Sequence, residues 1–146
     1  SELVGIYGNF INRVVVLTNK YYDGCIPSRG EMTDDDRQVI SELKLFPAKI
    51  AKSIEAYRYR EALMDVMNLA RLGNKYLADE EPWKLVKTDE VRTKTIMNIA
   101  LQIAKIVILM LSMNLLILQL VRIIFLVFVH LQISIGKFQV MKVLIG

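Results

Sequence analysis

The chain has 146 residues, of which 53% are hydrophobic and 23% are charged, and it is long enough for one domain with its own core. A single cysteine, Cys25, and a single histidine, His130, exclude a disulfide framework and a zinc site with several Cys or His ligands. The formal net charge is +4, but no acidic residue follows Glu90, so the basic excess belongs to the C-terminal part of the chain. Net charge therefore does not by itself indicate a nucleic-acid surface, which needs a localised basic patch.

The N-terminal residues are Ser1-Glu2-Leu3, without an initiating methionine or the basic and then apolar pattern of a signal peptide. This beginning indicates a piece excised from a longer protein. The sparing use of cysteine fits a cytoplasmic location.

The first predicted helix covers residues 3–21. Its apolar face carries Phe10, Val14, Leu17 and Tyr21. Asn9 and Arg13 are four residues apart and share a different face. They are either ordinary solvated residues or recognition groups, because an amide can pair with a base edge and a guanidinium can stack on a base or bind a phosphate.

A loop is predicted over residues 23–30, where glycine and proline supply turn conformations. Thr33 is predicted to cap the next helix, and the three aspartates at residues 34–36 favour the positive end of its dipole. Three consecutive carboxylates on a helix point in different directions, so they do not predict a metal site. Pro47 predicts a kink or a short break, after which Ile50, Ile54 and Tyr57 continue the apolar face.

A further helix is predicted over residues 57–79, and Glu81-Pro82-Trp83 predicts a corner after it. The residue before a proline is pushed out of the helical region, whereas proline itself suits the first turn of a new helix. Trp83, the only tryptophan, lies at the mouth of this corner. It either caps the core or offers a stacking surface to an unpaired base, an interaction worth about 1–3 kcal/mol.

The last helix is predicted to begin near Glu90, and its inner stripe is Ile96, Ile99, Ala100 and Ile103. Residues 106–121 contain no charge, and a second apolar run follows Arg122. This tail is apolar on every side, but its first run is a little shorter than the roughly 20 residues of a spanning helix.

Several stretches resemble methionyl-tRNA synthetases. Asn-Lys-Tyr-Leu-Ala-Asp-Glu-Glu-Pro-Trp-Lys at residues 74–84 is similar to the Asn-x-Tyr and Pro-Trp segment of their helical anticodon-binding domain. Gly-Asn-Phe-Ile-Asn-Arg-Val at residues 8–14 and Asn-Lys-Tyr-Tyr-Asp-Gly at 19–24 resemble the first helix of that domain and its exit. Tyr-Arg-Tyr-Arg-Glu-Ala-Leu at 57–63 resembles the helix before the corner, and the likeness continues to about Lys105.

The resemblance implies an all-α fold, a helical bundle of the class I aminoacyl-tRNA synthetase anticodon-binding type, over residues 1–105. It implies that Trp83 stacks on an extruded anticodon base and that Pro82 fixes the approach of the backbone. Asn9 and Arg13 would then supply hydrogen bonds or stacking beside that base. The implied partners are methionine tRNA, through its anticodon loop, and the catalytic domain of the same enzyme.

The parent enzyme of such a domain uses ATP to attach methionine to its tRNA. This chain carries neither a His-x-Gly-His nor a Lys-Met-Ser-Lys-Ser type motif, and no glycine-rich phosphate loop. No catalytic residue, metal ligand or cofactor site is therefore predicted here, and the chain alone is expected to be inactive.

Residues 106–146 do not fit the family pattern. The family carries a proline-containing turn and an amphipathic acidic helix there, whereas this tail has no Pro, Asp or Glu. A divergent buried helix pair, a membrane or partner-binding tail, or a misread frame in the coding sequence would explain this, and the abrupt loss of likeness favours the last. Membrane association is not the preferred interpretation, but a helical protein anchored to a membrane or a partner by residues 106–135 is the alternative function. A helical scaffold indifferent to tRNA is a third.

Overall fold

The computed structural model describes the backbone of residues 2–145 and the side chains of residues 5–132 and 134. In that part of the chain every regular element is helical, in the order α1 (Glu2–Tyr22), α2 (Asp34–Glu55), α3 (Tyr59–Glu80), α4 (Pro82–Leu85) and α5 (Glu90–Ile145). The all-α prediction is confirmed. The predicted helix starts near residues 3, 33 and 90 agree with these bounds.

The N-terminus of α2 is fixed by the residue that the sequence predicted. Thr33 lies in an extended conformation, and its hydroxyl accepts a hydrogen bond from the backbone N–H of Asp36 at 3.2 Å. The Asp36 carboxylate in turn accepts a bond from the Thr33 backbone N–H at 3.0 Å. This reciprocal capping box satisfies two of the amides that a helix start leaves free.

Two local predictions in α2 need correction. Of the kink or short break predicted at Pro47, the break is wrong, because α2 is continuous through this residue and the flanking Leu43 and Ile50 are buried in the core. Tyr57 does not extend the apolar face, since it lies at φ 60° and is 81% exposed. The N–H groups of Tyr57 and Arg58 donate to the carbonyls of Ile54 and Ser53, at 2.9 and 2.8 Å, and so end α2 in a left-handed cap.

The chain divides into two compact units, Ser1–Ser112 and Met113–Gly146. The first unit contains one core, to which α4 contributes through the partly buried Leu85, and α3 packs against both α1 and α2. The predicted inner stripe of α5 is fully buried there: Ile96, Ile99, Ala100 and Ile103. The boundary predicted at residue 105 rests on family likeness rather than on compactness, and it stays a prediction.

The second unit consists of the C-terminal part of α5, and its described side chains are largely exposed and apolar. Ile124 and Phe125, for example, are 67% and 63% exposed. By length and composition alone, α5 is the one described helix that could cross a membrane.

Gly73 allows α1 and α3 to approach closely. A Cβ atom at this position would lie 2.3 Å from Cζ of Phe10, whose ring is fully buried between the helices. The helix that carries Asn9 and Arg13 is thus held against α3 through Phe10.

We expect Gly73→Ala to destabilise the fold. The clash with the Phe10 ring costs about 1–3 kcal/mol, which exceeds the gain of about 0.5–1 kcal/mol that alanine brings to a helix. Thermal unfolding followed by circular dichroism measures the change. Gly8→Ala is the matched control because a Cβ at Gly8 meets no atom within 4 Å, and equal melting temperatures for the two variants would contradict the prediction.

Candidate functional site

The predicted corner lies between α3 and α4. Glu81 adopts a left-handed conformation with φ 46°, and its backbone N–H donates to the carbonyl of Leu77 at 3.0 Å, which ends α3. Pro82 occupies the first position of α4 and is buried. The Lys84 side chain returns to the Glu81 carboxylate at 2.8 Å. This geometry leaves the next residue, Trp83, half-buried at the surface.

Arg13 of α1 lies against this tryptophan. Its Cζ atom is 5.2 Å from the centroid of the Trp83 ring, which is a cation–π distance. The tryptophan cleft, as we name it, is lined by Trp83 and by Asn12, Arg13, Val16, Leu17, Lys20 and Tyr21. One side of the indole therefore faces an open cleft rather than the core.

A second groove adjoins the tryptophan cleft along α1. Its lining includes Asn9, Asn12, Arg13 and Asn74, and Asn9 is exposed. The amide of Asn74 donates to the backbone carbonyl of Ile6 at 3.2 Å and ties α3 to the start of α1. Amides, a guanidinium and an aromatic face thus lie together on one surface.

A buried ionic network supports the corner from behind. The fully buried Asp36 carboxylate accepts hydrogen bonds from both Nη atoms of Arg92 and, at 2.7 Å, from the hydroxyl of Tyr76. Arg92 also donates to Glu80 at 2.7 Å, and Glu80 is the last residue of α3. The network connects α2, α3 and α5 directly before the corner. It therefore fixes the position of the end of α3, after which Pro82 and Trp83 follow.

The network also shifts the pKa of Asp36. Burial alone raises that pKa, but hydrogen bonds from Arg92, Tyr76 and the Thr33 backbone outweigh burial and lower it below its ordinary value. Conversely, the pKa of Arg92 is raised, mainly by its hydrogen bond to Asp36. Both groups are therefore charged in the folded chain at neutral pH.

We expect the pairing of Asp36 with Arg92 to make the free energy of unfolding depend on pH in the acidic range. The Asp36 pKa is lower in the folded than in the unfolded chain, so its contribution is present above the unfolded pKa of about 3.9 and is lost as the pH falls through the folded pKa. Urea unfolding at a series of pH values from about 5 to about 2 measures the loss. Tyr76→Phe removes one hydrogen bond to the carboxylate and raises the folded pKa of Asp36. This variant is therefore expected to lose less of its free energy of unfolding in acid than the unaltered chain does. Equal losses for both proteins would contradict this account.

Comparison with known proteins identifies the family. The sequence model of one protein family, described as the anticodon binding domain of methionyl tRNA ligase, matches residues 26–117. The chain belongs to this family. The matched range includes Pro82 and Trp83 and reaches beyond Lys105, where the sequence resemblance was predicted to end, but it begins after Asn9 and Arg13.

Curated relatives extend the comparison. The chain is 68% identical to the methionine–tRNA ligase of Christiangramia forsetii and 64% identical to that of Flavobacterium johnsoniae, each over 104 residues. Each alignment covers 71% of this chain but only 15% of the relative. The chain therefore corresponds to a small part of those ligases.

A solved structure supports the same fold. The methionyl-tRNA synthetase of Mycobacterium tuberculosis, in complex with methionyl-adenylate, superposes with a TM-score of 0.72 at 23% identity. The match covers 77% of this chain and 23% of that one. It agrees with the predicted helical bundle of the anticodon-binding type.

Of the four predicted site residues of this anticodon-binding domain, three line the surface and one is buried. Arg13 and Trp83 contact each other, and Asn9 lies on the adjoining groove that Arg13 also lines. Pro82 is buried, so it can fix the backbone but offers no surface. Their roles in binding stay predictions.

Sequence reasoning missed the other five residues of the tryptophan cleft, which are Asn12, Val16, Leu17, Lys20 and Tyr21. The helical period could have indicated Lys20, because it is seven residues after Arg13 and so lies two turns away on the same face of α1. Tyr21 was assigned to the apolar stripe, but it is only half-buried.

Proposed function

We propose that this chain recognises the anticodon loop of methionine tRNA as part of a methionine–tRNA ligase. The observation that carries the proposal is the half-buried Trp83 ring, which has Arg13 beside it and an open cleft in front of it, in a chain of this family. Sequence-specific proteins read RNA chiefly at unstacked bases in loops, which they stack on aromatic or guanidinium planes. Trp83 and Arg13 supply both kinds of plane.

The neighbouring amides give this surface the means to discriminate. Asn9 and Asn12 are exposed on the groove and cleft, and each amide offers a donor and an acceptor to a base edge. Stacking alone tolerates every base, whereas hydrogen bonds to a base edge distinguish them. We therefore assign affinity mainly to Trp83 and selectivity to the asparagines and Arg13.

The rest of the reaction is assigned to other parts of the enzyme. The catalytic domain of the same ligase would bind ATP and methionine and transfer the amino acid, and this chain would hold the far end of the tRNA. A cytoplasmic location, where translation takes place, is part of the same proposal.

Binding to two matched RNA hairpins tests the proposal. One hairpin carries the methionine anticodon CAU, and the other differs from it only in the three anticodon bases. The full chain is expected to bind the CAU hairpin at least about fivefold more tightly, which corresponds to one lost base contact of about 1–3 kcal/mol. Equal affinities for the two hairpins would overturn the proposal.

The exposed apolar part of α5 favours one alternative, a membrane-associated helical protein anchored by residues 106–135. The two functions differ in where the activity resides. If the domain recognises tRNA, a chain truncated after Ser112 stays in the supernatant without detergent and binds the CAU hairpin as well as the full chain does. Binding that is lost with the tail, together with extraction of the full chain only by detergent, would favour the alternative.

A further inference from the structure

The tryptophan cleft has a second aromatic wall to which anticodon recognition by Trp83 gives no role. Tyr21 is half-buried in the last turn of α1 and lines the cleft together with Trp83. Its ring meets that of Tyr22 edge to face, with centroids 6.5 Å apart and planes at 78°. This contact restrains the Tyr21 ring, which lines the cleft.

Each aromatic wall of the cleft has its own cation. Arg13 lies 5.2 Å from the centroid of Trp83, and Nζ of Lys20 lies 5.5 Å from the centroid of Tyr21. The two cations are seven residues apart, which separates them by about 10 Å along the helix axis. The cleft thus contains the same pair, a ring face and a positive charge, twice.

A nucleotide has the complementary parts, a flat base and a negatively charged phosphate. Single-stranded nucleic acid is bound where successive bases stack on aromatic side chains while basic groups follow the backbone. Val16 lies between the two ring–cation pairs on α1 and is 51% exposed, so it adds apolar surface where a second base would lie. One ring–cation pair suits one nucleotide, and two pairs suit two.

We propose that the tryptophan cleft binds two neighbouring nucleotides of one RNA loop, the first through Trp83 and Arg13 and the second through Tyr21 and Lys20. Tyr21 stacks on the second base, and Lys20 contacts its phosphate. This inference rests on the proposed function, because it extends the same RNA-binding surface along α1. It makes Tyr21 and Lys20 binding residues of the domain.

The test measures binding of the full chain to the CAU hairpin by fluorescence anisotropy. Tyr21→Ala is expected to weaken binding by about 5- to 150-fold, as loss of one stacked base does. Tyr21→Phe keeps the ring and is expected to bind as the unaltered chain does. Lys20→Gln is expected to make affinity less dependent on salt. The negative slope of log affinity against log salt concentration should become shallower by about 0.7, the value for one phosphate contact on a single strand.

Tyr57→Ala and Lys52→Gln are the matched controls. Tyr57 is an exposed tyrosine two residues before α3, and Lys52 is an exposed lysine in the last turn of α2. The 22 residues of α3 separate that end of the bundle from the Trp83 corner by about 33 Å. Neither control is expected to change the affinity or the salt dependence.

An abasic nucleotide placed at each loop position in turn locates the two binding positions. The proposal expects the effect of Tyr21→Ala to vanish at one position and that of Trp83→Ala at a neighbouring one. The same position for both variants would contradict it.

The variants also separate this inference from the function on which it rests. If Trp83→Ala weakens binding but Tyr21→Ala and Lys20→Gln change neither affinity nor salt dependence, the second binding position is wrong and anticodon recognition stands. If Trp83→Ala also binds normally, the proposed function fails as well. Should Tyr21→Ala lose helical content, the exposed Lys20 decides, since its substitution leaves the core intact.

Discussion

Trp83→Ala is expected to lower the affinity of the chain for the CAU hairpin by about 5- to 150-fold. The indole supplies the largest stacking surface in the cleft, and one stacked base is worth about 1–3 kcal/mol. The substitution also removes the ring beside Arg13, so the guanidinium loses the contact that holds it in place. Anisotropy titrations at one fixed salt concentration measure the change, because affinity for RNA depends on salt.

Two further variants serve as comparisons for Trp83→Ala. Trp83→Phe keeps a smaller aromatic face and is expected to bind with intermediate affinity, whereas Tyr57→Ala removes an exposed ring far from the cleft and is expected to have no effect. The helical circular dichroism signal of Trp83→Ala should be unchanged, since the ring is only half-buried. Loss of helicity would instead indicate that Trp83 caps the core, and unchanged affinity would remove it from the site.

Asp36→Asn is expected to lower the free energy of unfolding by about 3–5 kcal/mol. The substitution removes one of the two carboxylates that pair with the largely buried Arg92 guanidinium, Glu80 being the other, and breaking one side of a buried ion pair costs about this much. It also weakens the bonds to Tyr76 and to the Thr33 backbone. Urea unfolding followed by circular dichroism measures the difference.

The adjacent aspartates are the controls for this prediction. Asp34 is exposed and its ion pair with Arg37 spans 2.9 Å at the surface, where such pairs contribute about 0–1 kcal/mol. Asp34→Asn and Asp35→Asn remove the same charge from the same turn of α2. A loss for Asp36→Asn no larger than theirs would mean that the network does not support the corner.

Local signals in the sequence located most helix boundaries. Thr33 caps α2, Pro82 begins α4 and Glu90 begins α5, because each of these starts depends on residues within one turn. Tyr57 was misjudged because the left-handed cap of α2 is formed here by a tyrosine instead of the usual glycine. Pro47 was misjudged because core packing on both sides keeps the helix continuous.

Long-range pairing explains what the sequence did not reveal. Asp36 meets Tyr76 and Arg92, which follow it by 40 and 56 residues, and no local pattern indicates such partners. Three consecutive aspartates were attributed to the helix dipole, whereas only Asp36 turns inward and is buried. The neighbouring positions of Arg13 and Trp83 were predicted from family resemblance, and composition or periodicity alone would not have predicted them.

The most direct test of the account is the fluorescence of Trp83 itself, because it is the only tryptophan and excitation at the red edge of its absorption excludes the tyrosines. A base that stacks on the indole should quench its emission as the CAU hairpin is added and should protect it from acrylamide, and the hairpin with altered anticodon bases should do so only at higher concentration. Emission and acrylamide quenching that stay unchanged while anisotropy shows the hairpin fully bound would mean that the RNA binds elsewhere and that Trp83 is not the stacking surface.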